Sequence, residues 1–199
     1  MSSLRFLPIS RGTLLKLRER YEVSRRGKEI LEMRREQLIR EVFFLMDKLR
    51  EREKLEKEIL NILEDVSKLR VYKGEGEFKS MSALVKPPKI DVLLVSVQGV
   101  PVPQARILEE PNLTEISDIE FLSSFKKLWD IFSSLLEIAN IEMSIERLSK
   151  HLSYINRVVN SLERNLLPEL KNMISYIEER LDEEMISEFV RLREVSRRE

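Results

Sequence analysis

Apolar residues recur at Ile145, Leu148, Leu152, Ile155, Val159, Leu162 and Leu166, in steps that alternate three and four. Such steps form the heptad seam of a helix lying along another with a left-handed supercoil. A seam needs a partner, and a matching stripe lies near the other end of the chain. Leu14, Leu17, Tyr21, Ser24, Lys28, Leu31, Arg35, Leu38, Val42, Leu45 and Leu49 follow the same alternation, with Ser24, Lys28 and Arg35 as polar interruptions. Two long helices from opposite ends of one chain, joined by an irregular middle, run antiparallel. The expected fold class is mainly α: a long antiparallel two-helix coiled coil formed by the N- and C-terminal helices, with a short middle segment containing a β-hairpin. The expected organisation is an N-terminal coiled-coil helix over 1–73, a middle segment with a short helix and the hairpin over 74–113, and a C-terminal coiled-coil helix over 114–199.

Composition agrees with long helices rather than a compact globule. Charged residues make up 35% of the chain, while glycine and proline number only five and seven among 199 residues. Without cysteine there is no disulfide framework and no thiolate metal site. A cysteine-free chain rich in Glu, Lys, Arg and Ile suits a cytoplasmic, heat-adapted source. Met1–Pro8 lacks an apolar core of signal-peptide length. The longest apolar runs, Val42–Met46 and Val92–Val95, fall far short of a membrane span. Basic and acidic residues balance at 35 each, which argues against generic nucleic-acid binding. The balance hides a polarity: Leu4 to Arg40 holds eleven basic and five acidic side chains, Ile141 to Glu188 six and ten. Antiparallel pairing lays the basic helix beside the acidic one and helps set orientation and register. Two ordinary solvated faces are the alternative.

Taken in order, the first helix is expected to open at Ser10, a good N-cap, and to run to about Tyr72, where Lys73-Gly74 supplies a basic last turn and a C′ glycine. Gly27 inside it reads as a notch for another backbone or as a tolerated defect of about 1 kcal/mol. After the charged run Arg50–Glu58 the apolar stripe resumes shifted, at Leu55, Ile59, Ile62, Val66 and Leu69, which calls for local over- or underwinding. In the middle, Ser80–Val85 suits one or two helical turns before Pro87-Pro88. Ile90–Val97 and Val100–Leu108 around Gln98-Gly99 suit a hairpin. Pro101 and Pro103 lie two apart, so the second strand bonds on one side only. The second helix is expected to start at the capping box Ser117-x-x-Glu120, or at Thr114, and to kink or loosen at Pro168. If the chain ends meet, the first helix stops opposite about Leu135. The aromatic start of the second helix then overhangs; the hairpin covers part of it, and Phe121, Phe125, Trp129 and Phe132 form a docking surface for another subunit, the alternative being that the middle segment buries all of them.

Catalytic patterns are missing. The lone His151 has no cysteine or fixed carboxylate pair around it, and Gly74-Glu-Gly76 lacks the strand, spacing and lysine of a phosphate loop. Acidic pairs such as Glu178-Glu179 read as solvated helix faces. The expectation is no enzyme, no cofactor and no metal.

The terminal segments carry a likeness. Ser10-Arg11, Leu14-Leu-Lys-Leu17, Arg26-Gly27, Ile30-Leu31, Arg34-Arg35 and Leu38 look like the opening helix of the D subunit of archaeal and vacuolar-type rotary ATP synthases. Arg157-Val-Val-Asn160, Leu162-Glu163, Pro168, Leu170, Tyr176-Ile177 and Glu188-Phe189-Val-Arg191-Leu192 resemble its closing helix. The likeness covers both ends well and the middle only in layout. Pro8 and Ser10 are separated by Ile9 where the family usually has Pro directly before Thr, and the hairpin tip lacks the family's frequent Asn and Met. The resemblance implies a central rotor shaft that transmits torque between a membrane ion-translocating ring and a catalytic hexamer, coupling an ion gradient to ATP synthesis or hydrolysis. It implies as partners the catalytic A and regulatory B subunits, the small F subunit of the stalk and the socket-forming C (d-type) subunit above the ring, with neither nucleic acid nor direct membrane insertion. It implies a peripheral place on the cytoplasmic face of the cell membrane. On this reading Arg25, Arg26, Gly27, Arg34 and Arg35 face the hexamer, and Phe189, Arg191 and Arg193 sit deepest in it. A prefoldin-like coiled-coil chaperone, a membrane-curving helical dimer and a generic coiled-coil scaffold are the competing classes.

Overall fold

The computed structural model describes residues 8–197. Its elements in order are α1 (Arg11–Lys48), a 3-10 turn (Leu49–Glu51), α2 (Arg52–Lys73), α3 (Glu75–Leu84), β1 (Lys89–Val97), β2 (Val100–Glu109), α4 (Ile119–Ser161), a π-helical turn (Leu162–Leu166) and α5 (Leu167–Ser196). Of the described residues 79% are helical, with long N- and C-terminal helices and one antiparallel hairpin between them. Ser10 caps α1 as expected: its Oγ accepts the Thr13 amide at 3.1 Å, and its carbonyl accepts that of Leu14 at 3.0 Å. Gly74 ends α2 at φ 84°, a left-handed conformation that favours glycine, and its amide reaches back to the Arg70 carbonyl. Contacts divide the described residues into two units, one formed by those up to Gln37 with those from Leu152 onward, the other by Leu38–His151.

In the first unit Leu17, Leu170, Met173 and Ile177 are buried together, with Leu14, Tyr21, Leu166, Ile174 and Leu181 packed against them. Partner numbers fall as α1 numbers rise: Arg18 meets Glu178 at 2.6 Å and Lys28 meets Glu163 at 3.0 Å, so the pairing is antiparallel. Both pairs set a cation of the basic helix against an anion of the acidic one. The polar interruptions Ser24, Lys28 and Arg35 keep seam positions and are half-buried.

Seam steps in this unit are not all regular. From Leu162 through Leu166 to Leu170 the chain takes two steps of four, one residue more than a heptad seam provides. The π turn at that place absorbs the surplus, with the Leu167 amide bonded to the Leu162 carbonyl five residues back. Pro168 follows directly; it has no N–H for the Arg164 carbonyl, and its ring would crowd that carbonyl in a regular turn. The proline is therefore met by a loosened turn, and the helix continues.

The second unit shows the opposite irregularity. Leu49 to Leu55 spans six residues, one short of a heptad. The 3-10 turn supplies the overwinding: the Arg52 amide bonds to the Leu49 carbonyl three residues back. With that correction Leu55, Ile59, Ile62, Val66 and Leu69 all return to half-buried positions. Arg52–Glu142 and Lys73–Asp118 ion pairs set the antiparallel register here, and Leu38, Ile131, Ile138 and Leu148 are buried. Lys73 stands opposite Asp118, so α2 reaches the very start of α4. The expected overhang at Leu135 does not occur, because the seam register leaves the excess length at the end of α5 instead.

Two local expectations are corrected. The N-cap of α4 is Asp118, not Ser117 or Thr114: its Oδ1 accepts the amides of Glu120 at 2.9 Å and Phe121 at 3.1 Å. Thr114 instead closes a turn onto the Asn112 side chain. The middle helix is also longer, ten residues from Glu75, because Gly74 both ends α2 and starts α3.

The hairpin closes through Gln98 (φ 49°) and Gly99 (φ 73°), the two positive φ values of a type I′ turn. Val97 pairs with Val100, so hydrogen-bonded pairs alternate from there: Val95 with Val102, Leu93 with Gln104. Pro101 and Pro103 fall at the intervening positions, where an amide points away from β1 and no ladder bond is lost. The next outward amide, that of Ala105, donates to Asn140 Oδ1 at 2.8 Å, and Asn140 Nδ2 donates to the Ala105 carbonyl at 2.9 Å. One side chain of α4 thus stands in for a third strand. With Val100 and Val102 buried, it gives the hairpin the surface that two strands in water lack. Asn140→Ala should cost about 1–3 kcal/mol in urea unfolding, with faster hydrogen exchange at Ala105; an unchanged Ala105 rate would remove the clamp from this account.

Candidate functional site

The candidate features among the described residues are surfaces. On the second unit an apolar groove of about 320 Å³ runs between α2 and α4, where Ile59 and Ile62 face Phe125, Leu128, Trp129 and Phe132, with Pro88 at one end. A second apolar hollow shares Pro88, Phe125 and Leu128 with the first and continues to Phe78 and Val85. The aromatic residues expected to dock a partner divide by depth. Phe121 is only 4% exposed and sits edge-on to Phe78 at 5.6 Å, closing the floor. Phe125 stacks on Phe121. Trp129 stacks on Phe132 at 5.5 Å between centroids, and Phe132, 39% exposed, stands at the rim.

On the first unit Arg25 and Arg26 are exposed, and Arg25 reaches Glu22 and Glu29 along its own helix. Arg34 and Arg35 are half-buried. Apart from its own helical turn and chain neighbours, nothing among the described residues lies within 4 Å of where a Cβ on Gly27 would project, so the packing seen does not require that glycine. Val23 and Ile30 are exposed one turn to either side of it. Beyond Asp182, α5 carries Met185, Ile186, Phe189, Val190 and Leu192, all exposed, with Phe189 at 74%; Arg191 and Arg193 are exposed among them.

No group of three or more His, Asp or Glu side chains is placed to hold a metal ion among the described residues, and none of their helices is long and apolar enough to cross a membrane. His151 is half-buried on α4.

The family model for the ATP synthase D subunit matches residues 13–197. The chain belongs to the ATP synthase D-subunit family. It is 30% identical to the A-type ATP synthase D subunit of Pyrococcus abyssi over 195 residues, covering 94% of this chain and 91% of that protein. The Pyrococcus furiosus protein matches at the same identity and coverage, and that of Methanopyrus kandleri at 29%, over 94% of this chain and 84% of the relative. The D subunit is a stalk component of a rotary ATP synthase and is not itself catalytic. The chaperone and scaffold readings are not favoured.

What a stalk subunit of this kind needs from its own residues is a register that does not slip, and charge supplies part of it. The Lys73 ammonium donates to Asp118, which holds the Asp118 carboxyl below its usual range, assisted by the Phe121 and Glu120 amides. The same bond holds the Lys73 ammonium above its usual range. Lys28 is likewise raised, chiefly by its hydrogen bond to Glu163, opposite the π turn. Sequence reasoning assigned Asp118 and Asn140 no role. The signals were an Asp just ahead of an apolar helical run and an amide set between Ile138 and Ile141.

Because the folded-state pKa of Asp118 lies below the ordinary 3.8, its ion pair contributes fully above that value and is lost as pH falls through the lowered one. Asp118→Asn keeps an N-capping side chain but loses the charge. The variant should be less stable than the parent at pH 7 in urea unfolding, and the gap should narrow on descending to pH 3. A gap independent of pH would show that the charge contributes nothing.

Proposed function

We propose that this subunit is the central rotor shaft, turning inside a hexamer of catalytic A and regulatory B subunits and passing torque to and from the membrane ion-translocating ring. It carries out no bond chemistry. Three equivalent nucleotide sites arranged around one asymmetric shaft meet three different surfaces, and each orientation favours a different state of each site. A contact shifts such states only by its differential free energy, and moving one from 1:99 to 99:1 takes about 5.5 kcal/mol. The observation that carries this reading is the uncovered apolar face of α5, Met185, Ile186, Phe189 and Val190, at a helix end with no partner among the described residues. Apolar residues so placed on a stalk subunit belong against another protein. Arg25, Arg26 and Gly27 with Val23 and Ile30 form the corresponding outer face of α1, and Arg34, Arg35, Arg191 and Arg193 supply charge near these faces.

The second unit takes the small F subunit of the stalk in the groove rimmed by Trp129 and Phe132, and the chain seats on the socket-forming C subunit above the ring. The complex then lies peripherally on the cytoplasmic face of the membrane. Phe132→Asp should weaken co-purification of the F subunit at least about tenfold, with the helical circular dichroism unchanged; undiminished binding would exclude the groove.

Deleting the chain after Asp182 tests the shaft itself. The truncated protein should still enter the complex in part, while coupled ATP synthesis falls. Full coupling after that deletion would overturn the assignment of the α5 end to the hexamer.

A further inference from the structure

The two edges of the hairpin differ. Ile90, Val92, Leu94 and Ser96 pair with Ile107, Ala105, Pro103 and Pro101. These are the pairs that exchange no hydrogen bonds, so their amides and carbonyls point away from the partner strand. On the outer side of β2 that row offers few donors, with Pro101 and Pro103 lacking N–H groups and Ala105 bonded twice to Asn140, so that of its four amides only that of Ile107 remains. On the outer side of β1 the Val92 amide is taken by its neighbour, Asp91 Oδ1, at 2.8 Å. Leu94 and Ser96 keep both their amides and their carbonyls facing outward, and among the described residues β1 pairs only with β2. Beside this row Val92 and Leu94 are 62% and 76% exposed. An apolar edge with open backbone groups is a template for another strand, and proteins normally blunt such an edge unless it is used.

We infer that the β1 edge at Val92–Ser96 takes an added strand from another subunit of the synthase. The inference rests on this chain acting as a subunit of the assembled complex. The incoming segment is extended and bonds to the amides and carbonyls of Leu94 and Ser96. It sets apolar side chains at alternate positions against Val92 and Leu94, and presents a Lys or Arg to the Asp91 carboxylate. That last requirement separates it from a second copy of this chain. In an antiparallel self-pair centred on Leu94, Asp91 falls opposite Val97 of the other copy, and Lys89, the one basic residue of β1, falls opposite Gly99 and is already paired with Glu109. In the free chain, Asp91 holds the Val92 amide and blunts the edge until the partner strand arrives.

Hydrogen exchange of the isolated protein and of the assembled synthase gives the first test. The Leu94 and Ser96 amides should exchange at least about tenfold more slowly in the complex, while the inward Val95 amide is protected in both. Ser96→Pro gives the second. The new proline lies opposite Pro101 in a pair without ladder bonds, so the hairpin is kept, with Val95 protection as its check, and only the outward donor is lost. Ser96→Pro should enter the complex about tenfold less well than the parent, and Ser96→Ala as well as the parent. Equal exchange at Leu94 and Ser96 in the free and assembled states overturns the inference, as does equal incorporation of the Pro and Ala variants. Protection in the free chain that fades on dilution overturns it in favour of self-pairing. Failure of the parent chain to enter the complex at all would strike instead at the shaft reading.

Discussion

Within each unit, everything depends on an apolar seam of the N-terminal helices being buried against one of the C-terminal helices. A helix with a strict seven-residue repeat keeps facing its partner only if both are wound to match. This sequence breaks the repeat twice, with one residue too few between Leu49 and Leu55 and one too many between Leu162 and Leu170. Each break is met where it occurs, by a tightened turn with an i−3 bond and a loosened turn with an i−5 bond. Winding is thus adjusted locally, and the half-buried positions on either side stay half-buried.

Charge marks the same pairing that the seams make. Arg18, Lys28, Arg52 and Lys73 all lie on the N-terminal helices, and their partners Glu178, Glu163, Glu142 and Asp118 all lie on the C-terminal ones. Exposed pairs of this sort contribute little to stability individually. Their order matters more: within each unit the partner numbers fall along the C-terminal helices as they rise along the N-terminal ones, which marks the antiparallel pairing, while the shared sign draws the basic helices to the acidic ones. The excess of basic residues over Leu4–Arg40 and of acidic ones over Ile141–Glu188 is the sequence-level form of the same arrangement.

This makes clear which parts of the structure were legible. Periodicity predicted the seams position by position, including the half-buried Lys28 and Arg35, because a heptad repeat is a local signal repeated many times. The hairpin followed from Gln98-Gly99 and the paired prolines. Asn140 escaped because its role needs Ala105, thirty-five residues away, and no local pattern joins them. The cap of α4 was misplaced by one residue because Ser117 fits a capping box as well as Asp118 fits a cap. Lys73, forty-five residues from Asp118, pairs with it and with Glu120 but not with Ser117, and no local pattern announces that. The overhang was misplaced because lining up the chain ends is a guess about register, whereas Leu17 against Leu170, Met173 and Ile177 is the register itself. The candidate site was legible as composition, an aromatic cluster and a basic helix, but not as depth. Phe121 and Phe132 look alike in sequence, and only packing makes one a floor and the other a rim.

The uncovered apolar surface then has a physical reading. Packing two helices hides one stripe on each, and the remaining circumference needs only charge to stay in solution. Here it carries Val23 and Ile30 on α1, Phe132 and Leu128 on α4, and a run from Met185 to Leu192 on α5. Apolar groups on water-facing positions raise the free energy of the isolated chain and add nothing to its fold. A sequence that places them on several elements, while keeping its seams intact and its outer β2 edge poor in donors, is built to be surrounded. For a stalk component without chemistry of its own, those outward side chains are the surface it offers to the rest of the complex.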